Sequence, residues 1–433
     1  MLQNETPYLK AIFDYIEKKP VRFHYPGHKG NLTPLDLTEI PQTDNLFMPE
    51  GPLLKAQELA ADAFGADYSY FLVNGSTQGI HSAFLSSFRE GDKVLVPSFS
   101  HRSIMEGIIL TGLEPVFIGE DIDRWGIPQN VKLRDLDRYD DRVKGIVITN
   151  PNYFGLTPEL KEIVQYAHNR DMIVIVDEAH GAHLHFNKKL PPSGLDAGAD
   201  IVIQSMHKMG ISLTQGAIIH LKGERIDKDI LRENVLLLST TSPSTIVLGS
   251  IDLSRRELAI NGERILDNLL SEIEKLGYKI KNTGFSMYEK PGMDRTKLTL
   301  YNLDGDKLSE RLWEDFRIQV EMSSGTYCLF ILSLLDSKST LNTLFNALKK
   351  IEPFPARNFI PPPGYELIKS PKMAYFSPKE KIKLTSAAGR VSGEIITRYP
   401  PGVPVIIPGV LITPEIKDYL LSMGRDYVSV TLD

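Results

Sequence analysis

The sequence predicts an α/β chain, with a large, mostly parallel sheet covered by helices on both faces and a smaller C-terminal α+β domain. Three observations predict it. Short apolar runs alternate with helix-like stretches through the first half of the chain. Those runs are continuous in apolar character, as strands buried on both faces must be. Beyond a long helical stretch the alternation stops, and a different mixture of strand-like and helix-like segments follows.

Taken in order, residues 1–50 read as a short helix and an arm rich in Pro and Gly, RFHYPGHKGNLTPLDL. LLKAQELAADAF then carries apolar residues at helical spacing. The expected strands are SYFLV (69–73), KVLVP (93–97), EPVFI (114–118), GIVIT (145–149), MIVIVD (172–177) and DIVIQS (200–205). A helix is expected around 190–199, and GAIIHL (216–221) is expected to close an edge of the sheet. A long helix should run from about 245 to 275. Residues 276–350 read as a smaller α+β lobe, with KLTLYNL and YCLFILSLL as strands. The Pro-rich break EPFPARNFIPPPGYE precedes the final segment. The expected division is an arm (1–50), a large domain carrying the candidate site (51–260), a small α+β domain (261–355) and a C-terminal segment (356–433).

Composition narrows the function. The 433 residues are 42% hydrophobic and 24% charged, with a net charge of −6. That is ordinary globular composition, with enough length for a large core. No basic tail or arginine-rich stripe suggests a nucleic-acid partner. A single cysteine, Cys328, rules out an intrachain disulfide framework. The first residues are amphipathic and charged and lack the apolar core of a signal peptide. No apolar run approaches the roughly 20 residues that span a bilayer. The expectation is a cytoplasmic protein with no membrane partner.

Ligands of open α/β sheets bind beyond the carboxyl ends of the strands. Polar clusters sit at three such ends here. FLVNGSTQG ends one strand and opens a helix, so Gly75, Ser76 and Thr77 offer N–H groups and hydroxyls to a phosphate. A plain helix N-cap reads the same way. Asp177 ends MIVIVD, and a carboxylate there needs a strong partner. A protonated pyridinium nitrogen would serve, as would a helix end or a local ion pair. Lys208 follows DIVIQS in SMHKMG, 31 residues after Asp177. Partial burial would lower its pKa and suit it to Schiff-base chemistry, where an ordinary lysine lies on the surface. The run HGAHLH, with His180, His183 and His185, matches no strong metal-ligand spacing, and no metal is expected. Phosphate seat, ring-nitrogen acid and amine thus occur in chain order at successive strand ends, which points to pyridoxal 5'-phosphate.

Here the chain resembles the bacterial Orn/Lys/Arg decarboxylases, pyridoxal-phosphate enzymes of fold type I, in a short form. The resemblance rests on HYPGHKG, DNLFMPEGPL, NGSTQG, VPSFSHRS, TNPNYFG, DEAHGAH, SMHK, TTSPS and GRVSGEIITRYPPGVPVIIPG, in that order. It implies that Ser76 and Thr77 bind the phosphate, helped by Ser205 and His207. It implies that His101 stacks on the pyridine ring, Asp177 pairs with its nitrogen, His180 lies close by, and Lys208 forms the internal aldimine. Thr241 and Ser242 would reach the phosphate of a neighbouring subunit, which makes the unit a homodimer or larger with shared sites. Three positions depart from the family pattern: Arg102 where Lys or Gln is common, Met206 where Thr is common, and Val410 where Glu is common.

The implied reaction is α-decarboxylation of a basic amino acid, with Lys208 or His207 returning a proton to Cα. Among short-form relatives arginine is the commonest substrate, giving agmatine for polyamine biosynthesis; lysine or ornithine is the alternative. Asp44, Glu50 and Glu321 are candidates to hold the distal cation. An aminotransferase or lyase on the same fold would need an arginine clamp, for which Arg390 is the candidate. A non-catalytic homologue would have no need of His101, Asp177 and Lys208 together.

Overall fold

The computed structural model describes residues 1–119, 121–136, 139, 142–398 and 402–432. Seven strands form the large sheet: β1 (Tyr68–Leu72), β2 (Lys93–Pro97), β3 (Glu114–Ile118), β4 (Val143–Thr149), β5 (Ile173–Asp177), β6 (Ile201–Ser205) and β7 (Ala217–Leu221). Their order is β1-β7-β6-β5-β4-β2-β3. The pairs β6/β5, β5/β4, β4/β2 and β2/β3 are parallel. β7 is antiparallel to both of its neighbours. GAIIHL therefore lies inside the sheet and closes no edge. Its five core residues are all buried, which a position between two strands requires.

Successive side chains of one strand serve two different cores. Val174 and Val176 face a core that includes the long helix Thr245–Ile280, whereas Ile175 between them faces a second core. This two-residue period, with both faces apolar, is why the strands read as continuous runs. The stretch expected to be helical at 190–199 is helical only over Gly194–Ala197, opened by the Ser193 capping box and stopped by Gly198 at positive φ.

The long helix passes without a break through residue 260, so the division expected there falls inside one rigid element. The smaller sheet follows, with β8 (Ser286–Met287), β9 (Lys297–Tyr301), β10 (Met322–Ser323) and β11 (Tyr327–Ile331) in the antiparallel order β10-β11-β9-β8. β9 and β11 are the strands expected from KLTLYNL and YCLFILSLL.

The C-terminal segment holds β12 (Lys379–Lys383), β13 (Ile396–Arg398), β14 (Val403–Ile406) and β15 (Tyr427–Thr431), paired as β12/β15 and β13/β14. Leu384, Ile406, Val410 and Val430 share the second core with Ile80, Ile104 and Ile175. This segment therefore packs on the large domain. Tyr399, Pro400 and Pro401 of the YPPGVP motif lie outside the described residues. No helix among the described residues is long and apolar enough to cross a membrane.

Candidate active site

One cavity opens beyond the carboxyl ends of β2, β4, β5 and β6. Ser76, His101, Thr149, Tyr153, Asp177, His180 and Lys208 are among its walls. Parallel pairing aligns Thr149 with Asp177. The sequence therefore delivers its polar strand-end residues to one place.

Asp177 is buried, and its Oδ1 accepts from the N–H of Ala179 at 3.2 Å. The chain then turns so that the three histidines of HGAHLH go to three different partners. His180 Nε2 meets Lys208 Nζ at 3.0 Å, His183 pairs with Asp294, and His185 pairs with Asp196. Lys208 stands in the short helix Met206–Met209 that follows β6. Burial pulls its pKa below the ordinary lysine value, against the opposing pull of Asp177 and then Glu321. Burial, then the charges of Lys208 and Lys297, hold His180 well below the usual imidazole range. A neutral imidazole thus faces an amine that gives up its proton more readily than an exposed lysine.

His101 is the N-cap of the helix Arg102–Thr111. Its Nδ1 lies 2.8 Å from Ser103 Oγ and accepts from Ser103 N–H at 3.2 Å. Burial lowers its pKa, with Asp177 opposing. The phosphate-seat residues open the helix Gly75–Ser87, whose N-cap Asn74 makes no side-chain capping bond. Gly75 adopts φ 73°, and a Cβ there would meet nothing within 4 Å, so the approach to this helix end is open. Ser205 Oγ donates to Ser76 Oγ at 3.1 Å, linking the ends of β1 and β6. His207 Nδ1 donates to the carbonyl of Gly216 at 3.0 Å, and burial lowers its pKa. It is not one of the walls of the cavity that holds Lys208. Thr241 and Ser242 are exposed and lie apart from those walls.

The candidates for the distal cation separate. Asp44 is committed to the backbone: its Oδ2 accepts from Gly51 N–H at 2.8 Å and Leu53 N–H at 3.0 Å, capping the helix Pro52–Phe64. Glu50 lines a different groove, with Tyr68 and Arg232. Glu321 is the one of the three whose charge acts on Lys208, but it is exposed and lines a separate groove with Val320 and Leu332. Arg390 is spent on Glu380 at 2.8 Å and the carbonyl of Thr431 at 2.9 Å, so it cannot serve as the clamp of an aminotransferase.

The three departures also find places. Arg102 Nε pairs with Glu106 at 2.6 Å, while its N–H donates to Gly402 O at 3.1 Å. Met206 and Val410 are fully buried in apolar cores. Tyr153 went unassigned in the sequence, although TNPNYFG marked its segment. Its ring centre lies 4.2 Å from that of His180 and 5.8 Å from Lys208 Nζ.

Comparison with known proteins bears on this site. The model of the Orn/Lys/Arg decarboxylase major domain matches residues 29–307, and that of the family's C-terminal domain matches 369–426. The chain belongs to the Orn/Lys/Arg decarboxylase family. The members are amino-acid decarboxylases, that is, carboxy-lyases. An arginine decarboxylase of Bacillus subtilis (strain 168) is 34% identical over 97% of this chain and 94% of its own length. One of Bacillus anthracis is 33% identical over 96% and 93%. In fold, the chain matches the constitutive lysine decarboxylase of E. coli at TM-score 0.84 and 22% identity, covering 99% of this chain and 82% of that one. Serine palmitoyltransferase of Sphingomonas wittichii matches at TM-score 0.59 and 16% identity, covering 80% and 83%. The family member is thus of fold type I.

Proposed function

We propose that the chain decarboxylates L-arginine to agmatine and CO2, using pyridoxal 5'-phosphate attached to Lys208. The observation that carries the reading is the meeting of Lys208 Nζ with His180 Nε2 at 3.0 Å in a cavity that also presents Asp177, beside the uncapped helix that opens at Gly75. The residues fit the group. The helix end and the Ser76–Ser205 hydroxyls suit a phosphate, and Asp177 suits a pyridinium nitrogen. The buried Thr149 Oγ1 and His180 Nδ1 have no hydrogen-bond partner within the described chain, so both remain available to a polar ligand. A related fold, SPT at TM-score 0.58, carries PLP as an internal aldimine. When bound, the cofactor would supply an electron sink for the pair left at Cα as CO2 departs.

The chain's own residues do the rest. Asp177 would keep a proton on the ring nitrogen, and His101, fixed by Ser103, would hold the ring plane. Lys208, with its lowered pKa, can give up a proton to bind the cofactor and later return one to Cα. The arginine assignment follows the Bacillus relatives. Glu321 is the acid whose charge reaches the site, and it would face the distal guanidinium. Side-by-side assays of arginine, lysine and ornithine test this reading. Agmatine and CO2 from arginine are expected, with much slower turnover of the other two; equal or faster turnover of lysine or ornithine would reassign the substrate.

The working unit in this reading is a cytoplasmic homodimer, with Thr241 and Ser242 offered to the partner's phosphate and the product entering polyamine biosynthesis. Both residues are exposed here, in a segment flanked by apolar residues. Co-expression of a Lys208→Ala chain with one enlarged at both Thr241 and Ser242 should restore up to half of the activity per mixed dimer. Mixed dimers without any activity would refute shared sites.

A further inference from the structure

Directly behind the cavity lies a group of ionisable residues that the reaction does not touch. Asp294, Lys297 and His183 are all fully buried. Lys297 Nζ donates to Asp294 Oδ2 at 2.7 Å and to the carbonyl of His180 at 2.9 Å. It also lies 3.2 Å from the sulfur of Met209, the residue next to Lys208. His183 Nε2 stands 3.2 Å from Asp294 Oδ2. The N–H of Asp294 donates to the carbonyl of Gly155 at 2.7 Å. Gly155 has φ 82°, and a Cβ there would fall 2.3 Å from the Asp294 carbonyl oxygen, so the two backbones are in close contact. Three loops of the site thus converge on one ion pair: the loop with Tyr153, the loop with His180, and the turn with Lys208.

Burial works against the Asp294 carboxylate, but Lys297 and then His183 outweigh it and hold its pKa well below the ordinary range. A carboxylate held so low needs a cation beside it, and Lys297 is that cation. The charged and titratable groups that face Lys208 are Asp177 at the end of β5, His180 after it, Tyr153 beside His180, His101 at the head of its helix, His207 beside Lys208, Glu321 near β10 and Lys297 at the start of β9. Asp177 and Glu321 favour its protonated form; Lys297 opposes it.

We propose that Asp294, Lys297 and His183 form a positioning device for the reactive lysine, which clamps the loops carrying Tyr153, His180 and Lys208 and keeps a fixed cation behind the amine. The proposal rests on the reading of Lys208 as the cofactor lysine. A purely structural clamp would leave the acidity of Lys208 unchanged; a fixed cation would not.

The test is the pH titration of the visible band of the cofactor-loaded chain, together with the pH dependence of Lys208 acylation in the cofactor-free chain. In Lys297→Met both midpoints should rise by about one pH unit, the lower end of the effect of a nearby charge. Because that change strands Asp294, the double variant Asp294→Asn/Lys297→Met, which removes both charges, is measured beside it. Its midpoints should move the same way. A folded, loaded double variant with wild-type midpoints overturns the proposal. So does a double variant that cannot fold, since the cluster would then be holding the fold and not the amine. Absence of a visible band in the wild-type chain would instead refute the cofactor reading, and the acylation midpoints would still decide this one.

Discussion

Lys208 and Lys297 are two lysines at one site, and their surroundings make them different reagents. Lys297 is fully buried and answers a carboxylate at 2.7 Å. Lys208 is partly buried, and the nearest group across from it is the neutral His180 at 3.0 Å. Burial lowers the pKa of both. Only Lys297 has a contact that fixes the proton in place. The lesson is that burial supplies the pressure to deprotonate, and the partner decides whether the amine yields. A buried lysine with a carboxylate is part of the frame; one facing an imidazole is available for chemistry.

The largest effect that could break this contrast comes from Lys208→Ala. Turnover and the visible band should vanish while stability falls by less than in a chain that loses Lys297, since Asp177 keeps the N–H of Ala179. Borohydride reduction and peptide mapping check it; label on Lys297 would reverse the two roles. Next comes Asp177→Asn, which should keep the cofactor and lower kcat on the order of 10²–10³-fold, the range for losing one preorganised electrostatic contact. Near-normal turnover in the loaded variant would remove Asp177 from the mechanism. On the other side of the contrast, Lys297→Ala should cost about 3–5 kcal/mol in denaturant unfolding, because Asp294 is left charged and buried. A loss no larger than that of Lys208→Ala would erase the distinction.

The smallest effect sharpens the comparison by adding an acid. Glu178, beside Asp177, is fully buried; burial pushes its pKa up to about 8, against hydrogen bonds from Gln204, Gly194 and Asn150. A raised acid contributes stability that is fully present below its unfolded pKa and is lost as pH rises through about 8. Glu178→Gln loses an acceptor for these donors and should be less stable by about 1–3 kcal/mol at pH 5. The gap should narrow as pH rises toward 8. Parallel stability–pH curves for the two chains would show that Glu178 folds already ionised.

The sheet and the heart of the site were legible because both are written locally. A strand buried on two faces needs four or five apolar residues in a row, and its chemistry sits at the first polar residue after them. That places Asp177 from the sequence, and Lys208 just beyond the next strand. The family blocks then assigned roles that composition could not.

Where a segment lands among distant neighbours was not legible. GAIIHL looked the same whether at an edge or between β1 and β6, since pairing partners far away in the chain decide it. Asp44 looked like any exposed acid until the turn at Gly51 brought backbone N–H groups to its carboxylate. Arg390 sat in a promising motif until β12 supplied Glu380.

The sequence by itself determined the class of fold and the strand ends, and it singled out Lys208 and Asp177 as the candidate amine and ring acid, because hydrophobic period and short motifs are properties of neighbouring residues. Only the tertiary structure set the partners of the two buried lysines. It brought Asp294 to Lys297 and His180 to Lys208. The proton affinity of a buried amine depends on the charges within a few ångströms of it, and the folding of the whole chain determines which charges those are.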